Sequence, residues 1–533
     1  MPPAPVPVPV PSELPDVPLE DAADPLILAL DIGTSSVRAA LYDGQARRVA
    51  GLSVQQAHQM RSTADGGVET DADPLFERAC ACIDGVLHAA GDRATRIAAV
   101  AVDTFWHNVL AVDAAGTPLT PLFTWADTRS SAAAAQLRAA LDTGAVHART
   151  GCVLHPSYLP AKIRWQQQIG TDLKALRYWL SFAELLTMRL FGSPTVSISM
   201  ASGTGLLDQH TCTWDPRVLA AIPLDPANLS PLDDAPRTGM RAEFAARWPA
   251  LASVPWFPGW GDGATSNVGS GCMRRERVAM MVGTSGAMRV AWRTDDVTIP
   301  ERLWCYRVDR HRVVMGGALS NGGNLLEWLR DTLNLPIGPR DASEELLPAQ
   351  FKEIEADIAA LDPDGHGLIF LPFLAGERSP SWAADARGTI SGLRLHTQPI
   401  EIIRAGYEAI AYRFALIHEL LTATVPEIGT AAHPVVASGG ALLHSPAWLQ
   451  IMADALNTPV AASQVPEASC RGAALLALEA LGAIGDLESL PAPLGILYAP
   501  IAANTARYAA AAGRQRGLYD LLAGAGYEGE RLA

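Results

Sequence analysis

The chain carries one short pattern twice, about half its length apart. Residues 26–43 read LILALDIGTSSVRAALYD, and residues 278–295 read VAMMVGTSGAMRVAWRTD. Each copy is an apolar strand, a Gly-Thr-Ser turn and a second strand that returns beside the first. A single copy is equally well explained as an ordinary tight hairpin. The repetition instead predicts two related halves, each built around a sheet.

The residues of the two turns favour phosphate binding. Glycine lets a ligand approach the backbone closely, and Thr and Ser add hydroxyl groups beside free N–H groups. We therefore expect a phosphate chain to be held between the halves by turn residues of both copies, namely Thr34, Ser35, Gly283, Thr284 and Ser285.

The copies differ at the residue before the turn, which is Asp31 in the first and Val282 in the second. A carboxylate that ends a buried strand is unfavourable unless a cation or hydrogen-bond donors meet it. One carboxylate with none opposite fits an asymmetric Mg-nucleotide site, in which Asp31 holds Mg²⁺ through bound water. Arg38, on the returning strand, is equally well explained as a phosphate ligand or as the partner of a carboxylate.

Composition excludes several classes of function. The 533 residues suffice for two or more domains, and the net charge of −15 argues against nucleic acid or an anionic membrane as the partner. No apolar run approaches the roughly 20 residues needed to span a bilayer, and no basic segment leads into an apolar one at the N-terminus. These observations predict a cytoplasmic protein that acts on a small molecule. The seven scattered cysteines predict buried free thiols.

Strands alternate with helical patterns in both halves, which indicates an α/β fold with mixed sheets. A strand is expected over residues 97–103, and helices over 74–90, 130–141, 178–191, 324–335, 399–423, 446–456 and 469–481. The first 24 residues are rich in Pro and Val and predict a disordered tail. The two halves are expected over residues 25–273 and 274–525.

A candidate catalytic residue lies in the glycine-rich segment GWGDGATSNVGSG, residues 259–271. Asp262 stands between two glycines, so a substrate can approach its carboxylate closely. Such a carboxylate can accept the proton of a sugar hydroxyl that attacks the γ-phosphate of a nucleotide. The competing explanation is an N-cap, for which Asp is a favoured residue.

Paired glycines precede two further helices. Gly322 and Gly323 can line a nucleotide cleft, and Gly439 and Gly440 follow a buried strand where a planar ring such as adenine can lie against the backbone. Close packing of helix on sheet explains such glycines as well.

Together these motifs resemble the FGGY carbohydrate kinases. DIGTSSVRAALYD resembles the first phosphate motif of that family, VGTSGAMRV the second, and GDGATSNVGSG the segment of its catalytic base, here Asp262. ASGGALLHSPAWLQIMADAL is similar to its adenosine motif and places Gly439, Gly440 and His444 at the nucleotide. The resemblance covers nearly everything after the tail. It implies two actin-like (ribonuclease H-like) ATPase domains around a cleft, with ATP and Mg²⁺ as cofactors.

Family members bind the sugar mainly through the N-terminal half. DTFWHNVLAVD resembles the stretch where relatives have Gln-Met-His, and the resemblance places Trp106 and His107 toward the sugar. Phe105 and Trp106 replace Gln and Met, so this stretch leaves the sugar open. The segment TWADTRS adds residues that either line the pocket or brace it, namely Trp125, Asp127 and Arg129.

Segments of the second half look most like the gluconate kinase branch, which implies a sugar acid as substrate. Its carboxylate would need a cation, which Lys162 or Arg164 can supply. A xylulokinase, or another ketose or polyol kinase, is the alternative.

Two other classes compete with a kinase. GTSGA, residues 283–287, falls one glycine short of the nucleophile elbow of a hydrolase. Actin-like folds also include non-catalytic nucleotide-binding proteins. The oligomeric state does not follow from the sequence, and a homodimer is compatible with it.

Overall fold

The computed structural model describes residues 14–333, 348–428 and 433–524. Strands before residue 262 are β1 (Leu26–Ile32), β2 (Ser36–Tyr42), β3 (Arg48–Ala57), β4 (Arg61–Ser62), β5 (Val68–Thr70), β6 (Ile97–Thr104), β7 (Leu110–Val112), β8 (Leu122–Phe123), β9 (Tyr178–Leu180), β10 (Leu207–Asp208), β11 (Thr213–Trp214) and β12 (Trp260–Gly261). Later strands are β13 (Val278–Val282), β14 (Gly286–Arg293), β15 (Trp304–Asp309), β16 (Arg312–Leu319), β17 (Ile369–Leu371), β18 (Thr389–Ser391), β19 (Val435–Ser438), β20 (Val460–Ser463) and β21 (Leu494–Tyr498).

The helices range in length from 4 to 26 residues. They are α1 (Ala72–Ala90), α2 (Ser131–Ala140), α3 (Thr143–Thr150), α4 (Leu159–Gln168), α5 (Phe182–Phe191), α6 (Ile198–Ser202), α7 (Pro216–Ala221), α8 (Ala242–Arg247), α9 (Asp262–Gly269), α10 (Gly323–Thr332), α11 (Pro348–Ala360), α12 (Pro399–Thr424), α13 (Gly440–Leu443), α14 (Pro446–Leu456), α15 (Ala468–Ala480) and α16 (Ala502–Tyr519).

Two mixed sheets form the centre of the molecule. The first has the strand order β12-β6-β1-β2-β3, and the second β15-β16-β14-β13-β19-β20-β21. In each sheet the predicted hairpin, β1–β2 or β13–β14, is antiparallel, and its first strand also pairs in parallel with a later strand, β6 or β19. The repeated sequence pattern therefore corresponds to a repeated strand arrangement.

Helices cover the first sheet on both faces. Leu28 and Leu30 of β1 pack in one apolar cluster with residues of α1, whereas Ile27 and Ala29 pack in another cluster with residues of α15. Because side chains alternate along a strand, these clusters lie on opposite faces. A helix from the C-terminal half thus completes the core of the N-terminal sheet. The predicted boundary at residue 273 lies between α9 and β13.

Glycine allows α15 to touch α9 at the backbone. A Cβ added at Gly472 would lie 1.8 Å from the carbonyl oxygen of Thr265, and one added at Gly269 would lie 1.8 Å from that of Ala468. These two helices, one from each half, therefore cross in direct backbone contact at the junction of the halves.

Most predicted helices lie within about two residues of the observed ones, but residues 178–191 do not form one helix. Residues 178–180 form strand β9, which pairs with β7. Helix α5 starts at Phe182 because Ser181 and Glu184 make a capping box, each side chain accepting a hydrogen bond from the other residue's N–H group. The alternation of polar and apolar residues did not reveal this cap.

The prediction of a disordered tail is wrong for residues 14–24. Val17 is buried, its N–H group donates to the carbonyl of Arg48, and its carbonyl accepts from Ala50. Leu14 donates to the carbonyl of Gln464 in the other half. Pairing with the edge of β3 supplies partners that a Pro-rich segment lacks by itself. The tail residues 1–13 lie outside the described residues.

The cysteines and helices bear on two other predictions. All seven cysteines are free and buried, which confirms the predicted thiols. Among the helices that the structure describes, none is both long and apolar enough to cross a membrane.

Candidate active site

Carboxylates end three adjacent strands of the first sheet. Strands β12, β6 and β1 are parallel, and their register pairs Asp103 with Asp31 on one side and with Trp260 on the other. Asp262 follows β12 directly. Because parallel strands end at the same sheet edge, Asp31, Asp103 and Asp262 face one cleft. Burial raises the pKa of Asp31, and the charge of Asp262 raises it further.

Asp103 was not among the residues predicted for the site. Its side chain is fully buried, and within the described ranges neither carboxylate oxygen meets an N–H or O–H donor. Burial raises the pKa of Asp103, and the charge of the adjacent Asp31 and a hydrogen bond to its carboxylate raise it further. An acid at the end of the otherwise apolar strand IAAVAVD was the available signal.

The carboxylates fit a hydrated cation. Unpartnered buried carboxylate oxygens are unfavourable without a positive charge, and oxygen is the ligand that Mg²⁺ prefers. Among the residues described, no three His, Cys, Asp or Glu side chains are placed to hold a metal ion directly. That Asp31 holds a cation here through bound water stays a prediction. Arg38 forms an ion pair with Glu467 and donates to Gln55, so its guanidinium is engaged by protein groups.

Asp262 is the first residue of α9, and Gly261 occupies the N-cap position. Oδ1 of Asp262 accepts hydrogen bonds from the N–H groups of Gly263, at 2.8 Å, and Trp106, at 3.4 Å. No residue in the described part donates to Oδ2. Burial raises the pKa of Asp262, and the charge of Arg289 opposes that rise. The free oxygen of a fixed, half-buried carboxylate suits a proton acceptor.

The two Gly-Thr-Ser turns remain open to a ligand. In the first, Gly33 donates to Ser36 and closes the turn, while the hydroxyls of Thr34 and Ser35 have no partner among the described residues. In the second turn, Thr284 is exposed. The predicted turn residues thus present hydroxyl groups where a phosphate chain can reach them.

Helix α10 packs directly on the second turn. Gly323 donates its N–H to the carbonyl of Gly283 at 2.7 Å. A Cβ at Gly323 would lie 2.7 Å from that same oxygen, and one at Gly322 would lie 2.7 Å from the carbonyl oxygen of Ser285. The glycine pair is therefore required by close backbone contact, and it brings a helix N-terminus beside the turn.

The segment predicted to bind adenosine meets the same sheet edge. Gly439 has φ of +89°, and a Cβ there would lie 2.4 Å from the carbonyl oxygen of Val282 at the end of β13. Gly440 and His444 are exposed, and the His444 Nδ1 lies 2.7 Å from the Gly440 carbonyl oxygen. The structure thus brings the second turn, α10 and this segment together.

Trp106 and His107 lie near Asp262, but each side chain already makes a hydrogen bond within the protein. The Trp106 indole N–H donates to the carbonyl of Ser199, and His107 Nδ1 lies 2.5 Å from the carbonyl oxygen of Gly203. Burial lowers the pKa of His107 well below its usual value, and Arg378 lowers it further. His107 is therefore neutral, donates through Nδ1 and keeps Nε2 as an acceptor, 3.5 Å from the hydroxyl of Tyr306.

Asp127 and Arg129 brace the site. Asp127 is buried and forms an ion pair with Arg129, and Arg129 also pairs with Glu69. Oδ2 of Asp127 accepts a hydrogen bond from the N–H of Val68. Trp125 differs from them, because the guanidinium carbon of Arg378 lies 5.0 Å from the centre of its ring. Trp125 thus meets a residue of the C-terminal half.

Of the two predicted cations, Lys162 lies nearer the site, since its charge acts on His107 and His155. Lys162 is buried and donates to the carbonyl of Pro156, and burial lowers its pKa to about 7. Arg164 instead donates to Gln136 and to the carbonyl of Ala221. Arg289, Tyr306 and Arg378 are site residues that the sequence did not reveal, since all three come from the half assigned to the nucleotide.

Comparison with known proteins places this geometry in a family. Residues 26–269 match the FGGY family of carbohydrate kinases, N-terminal domain, and residues 278–481 match its C-terminal domain. A gluconokinase of Bacillus subtilis is 29% identical over 484 residues, which cover 89% of this chain and 91% of that protein. A glycerol kinase of Gloeobacter violaceus is 32% identical over 482 residues, covering 87% and 90%.

Solved structures agree with the sequence matches. A gluconate kinase from Lactobacillus acidophilus has a TM-score of 0.79 and 25% identity, covering 93% of this chain and 98% of that one. A xylulose kinase from Rhodospirillum rubrum has a TM-score of 0.78 and 26% identity, covering 93% and 99%. These matches confirm the predicted α/β fold of two actin-like domains.

Proposed function

The chain belongs to the FGGY family of carbohydrate kinases and is an ATP-dependent sugar kinase, and we propose that its substrate is a sugar acid of the gluconate type.

The hydrolase alternative fails because Ser285 precedes the strand β14, where a nucleophile elbow requires a helix.

The charge of the sugar side of the cleft carries this proposal. In the part of the chain that the structure describes, Arg378 forms no ion pair, and its guanidinium lies over the ring of Trp125. A cation without a counter-ion favours a substrate that brings its own negative charge. A carboxylate on the sugar supplies that charge, and the gluconokinase relatives support the same substrate class.

We infer that Asp262 removes the proton from the attacking hydroxyl. Phosphoryl transfer depends mainly on positioning and on neutralising charge, so the other groups act by holding the reactants. Thr34, Ser35, Thr284 and Ser285 bind phosphate oxygens through N–H and hydroxyl groups. Asp31, with Asp103 beside it, would hold Mg²⁺ through water, and the ion when bound neutralises charge on the nucleotide phosphates.

A ketose is the second candidate substrate. The similarity to solved xylulose kinases favours it, since these cover as much of the chain as the gluconate kinase does. The same catalytic groups serve either substrate. The contacts to the first carbon of the sugar would differ.

The test is ADP release with Mg-ATP and a panel of substrates. D-Gluconate and D-glucitol form a matched pair, because they differ only in the carboxylate at the first carbon. We expect kcat/KM for D-gluconate to exceed that for D-glucitol and D-xylulose by about 100-fold or more, as for a site whose buried polar groups need the missing partner. Equal or faster turnover of D-xylulose or glycerol would refute a sugar-acid substrate while leaving the kinase intact.

A further inference from the structure

A short segment of the C-terminal half, residues 376–382, reaches the sugar side of the cleft. It carries Arg378, which lies over the ring of Trp125, and Trp382, whose ring centre is 5.3 Å from that of His155. Trp125 and His155 belong to the N-terminal half. The two halves therefore meet at this point, away from the phosphate-binding turns.

Three buried nitrogen atoms here have no hydrogen-bond partner within residues 14–333, 348–428 and 433–524. They are Nε of Arg378, Nε1 of Trp382 and Nε2 of His155. Buried polar atoms are nearly always paired in folded proteins. Three such atoms on neighbouring side chains are available to pair with a ligand.

The protonation of His155 follows from its other nitrogen. The backbone N–H of Ser157 points at Nδ1 at a distance of 3.2 Å, so Nδ1 is an acceptor and carries no proton. Burial and the charges of Arg378 and Lys162 lower the pKa of His155 well below its usual value, so the ring is neutral. The proton of the neutral ring is therefore on Nε2, which is a donor. All three unpaired atoms are thus N–H donors.

The segment that presents two of these donors is held firmly. Glu377, next to Arg378, forms a buried ion pair with Arg413 and accepts a hydrogen bond from the hydroxyl of Tyr519 at 2.5 Å. Ser379 donates to the carbonyl of Ala318 at 2.9 Å. Trp382 has φ of +59°, which a non-glycine residue adopts only where its surroundings fix it. These contacts fix the position of the donors before a ligand binds.

We propose that Arg378, His155 and Trp382 bind the carboxylate of the sugar acid, so that both halves of the protein grip the substrate. The inference rests on the proposed function and assigns its specificity to residues 376–382 together with His155. A carboxylate accepts several hydrogen bonds and matches a guanidinium charge. Lys162, which sequence reasoning put forward for this role, instead donates to backbone carbonyls and supports the pocket wall.

The test uses the full-length enzyme and the same matched pair of substrates. We expect Arg378→Gln to reduce kcat/KM for D-gluconate by about 100-fold or more, mainly through KM, and to reduce that for D-glucitol by less than about 3-fold. Arg378→Lys restores part of the loss because it returns the charge. His155→Gln keeps an N–H donor and retains the preference, whereas His155→Leu loses it. The exposed Arg387→Gln, from the same region, is the matched control and changes neither value.

Several outcomes would overturn the assignment. If Arg378→Gln lowers kcat/KM equally for both substrates, or weakens ATP binding measured without sugar, the residue serves the nucleotide or the fold. Melting temperatures of all variants identify a general loss of structure. If D-gluconate turnover by the wild type is strong and the variant keeps its preference, the inference fails and the proposed function stands. If the wild type does not use sugar acids, the proposed function itself fails.

Discussion

At the scale of single residues, the cleft concentrates charge that the protein leaves uncompensated. Asp31, Asp103 and Asp262 share one sheet edge, and the charges of Asp31 and Asp262 raise the pKa of the buried Asp103. On the other side stands Arg378, which forms no ion pair with any residue that the structure describes. Unpaired buried charges destabilise a fold unless a ligand meets them. We infer that the site is arranged for reactants that bring both a cation and anions.

Asp262 is the residue whose loss should matter most. We expect Asp262→Asn to lower kcat by about 10² to 10⁴-fold, the usual contribution of a general base, with ATP affinity changed by less than about 3-fold. The amide keeps the shape and the hydrogen bonds to Gly263 and Trp106 but accepts no proton. Steady-state ADP release and equilibrium nucleotide binding measure the two quantities. A variant with wild-type kcat would remove Asp262 from this role.

At the scale of secondary-structure elements, glycine decides how the helices approach. Gly472 of α15 and Gly269 of α9 let the two backbones touch, and Gly323 of α10 lets a helix N-terminus meet the second phosphate turn. In each case a Cβ would lie within 3 Å of a carbonyl oxygen, closer than such atoms pack. Small residues thus set the distance between elements that carry the site.

The helix crossing gives a stability prediction. Gly472→Ala places a methyl group 1.8 Å from the carbonyl oxygen of Thr265, so the helices must separate. We expect the free energy of unfolding to fall by about 1–3 kcal/mol, as for overpacked cores. Gly517→Ala, in the exposed part of α16 with no atom within 4 Å, is the control and should gain about 0.5–1 kcal/mol. Thermal unfolding measures both, and equal shifts would contradict the crossing.

At the scale of the whole molecule, the halves are joined by contacts that lie far apart in sequence. Helix α15 packs on β1 and β6 of the N-terminal sheet, and Arg38 pairs with Glu467 at the start of that helix. Leu14 adds a hydrogen bond to Gln464. Tyr306 of the C-terminal half also donates to or accepts from Tyr158 at 2.6 Å beside the sugar site. Any movement between the halves therefore changes the sugar pocket.

The ordered segment before β1 offers a test at this scale. Removing residues 1–20 deletes the buried Val17 and the hydrogen bonds of Leu14 and Val17, whereas removing residues 1–12 spares them. We expect the longer deletion to be less stable than the shorter by about 1–3 kcal/mol, the value of one buried valine and its backbone hydrogen bonds. Denaturant unfolding of the two proteins gives the difference. Equal midpoints would show that this segment does not stabilise the fold.

Features whose chemistry is local could be predicted from the sequence. The repeated Gly-Thr-Ser turns, the Asp262 segment and the glycine pairs are each written in a few consecutive residues, because turns and close backbone approaches depend on neighbours in the chain. The order of strands and helices determined the α/β class for the same reason. Two predictions from these patterns were wrong, the start of α5 and the disorder of residues 14–24. In both cases hydrogen bonds to particular partners set the local structure.

Which distant residues share the cleft depends on the packing of the folded chain. Asp103 joins Asp31 and Asp262 through strand register, and Arg378 and Trp382 join His155 through the packing of the two halves. The spacing of these residues in the sequence does not predict the contacts between them. Burial then decided their chemistry, since removal from water and the surrounding charges set which groups are charged, which are neutral and which still need a partner.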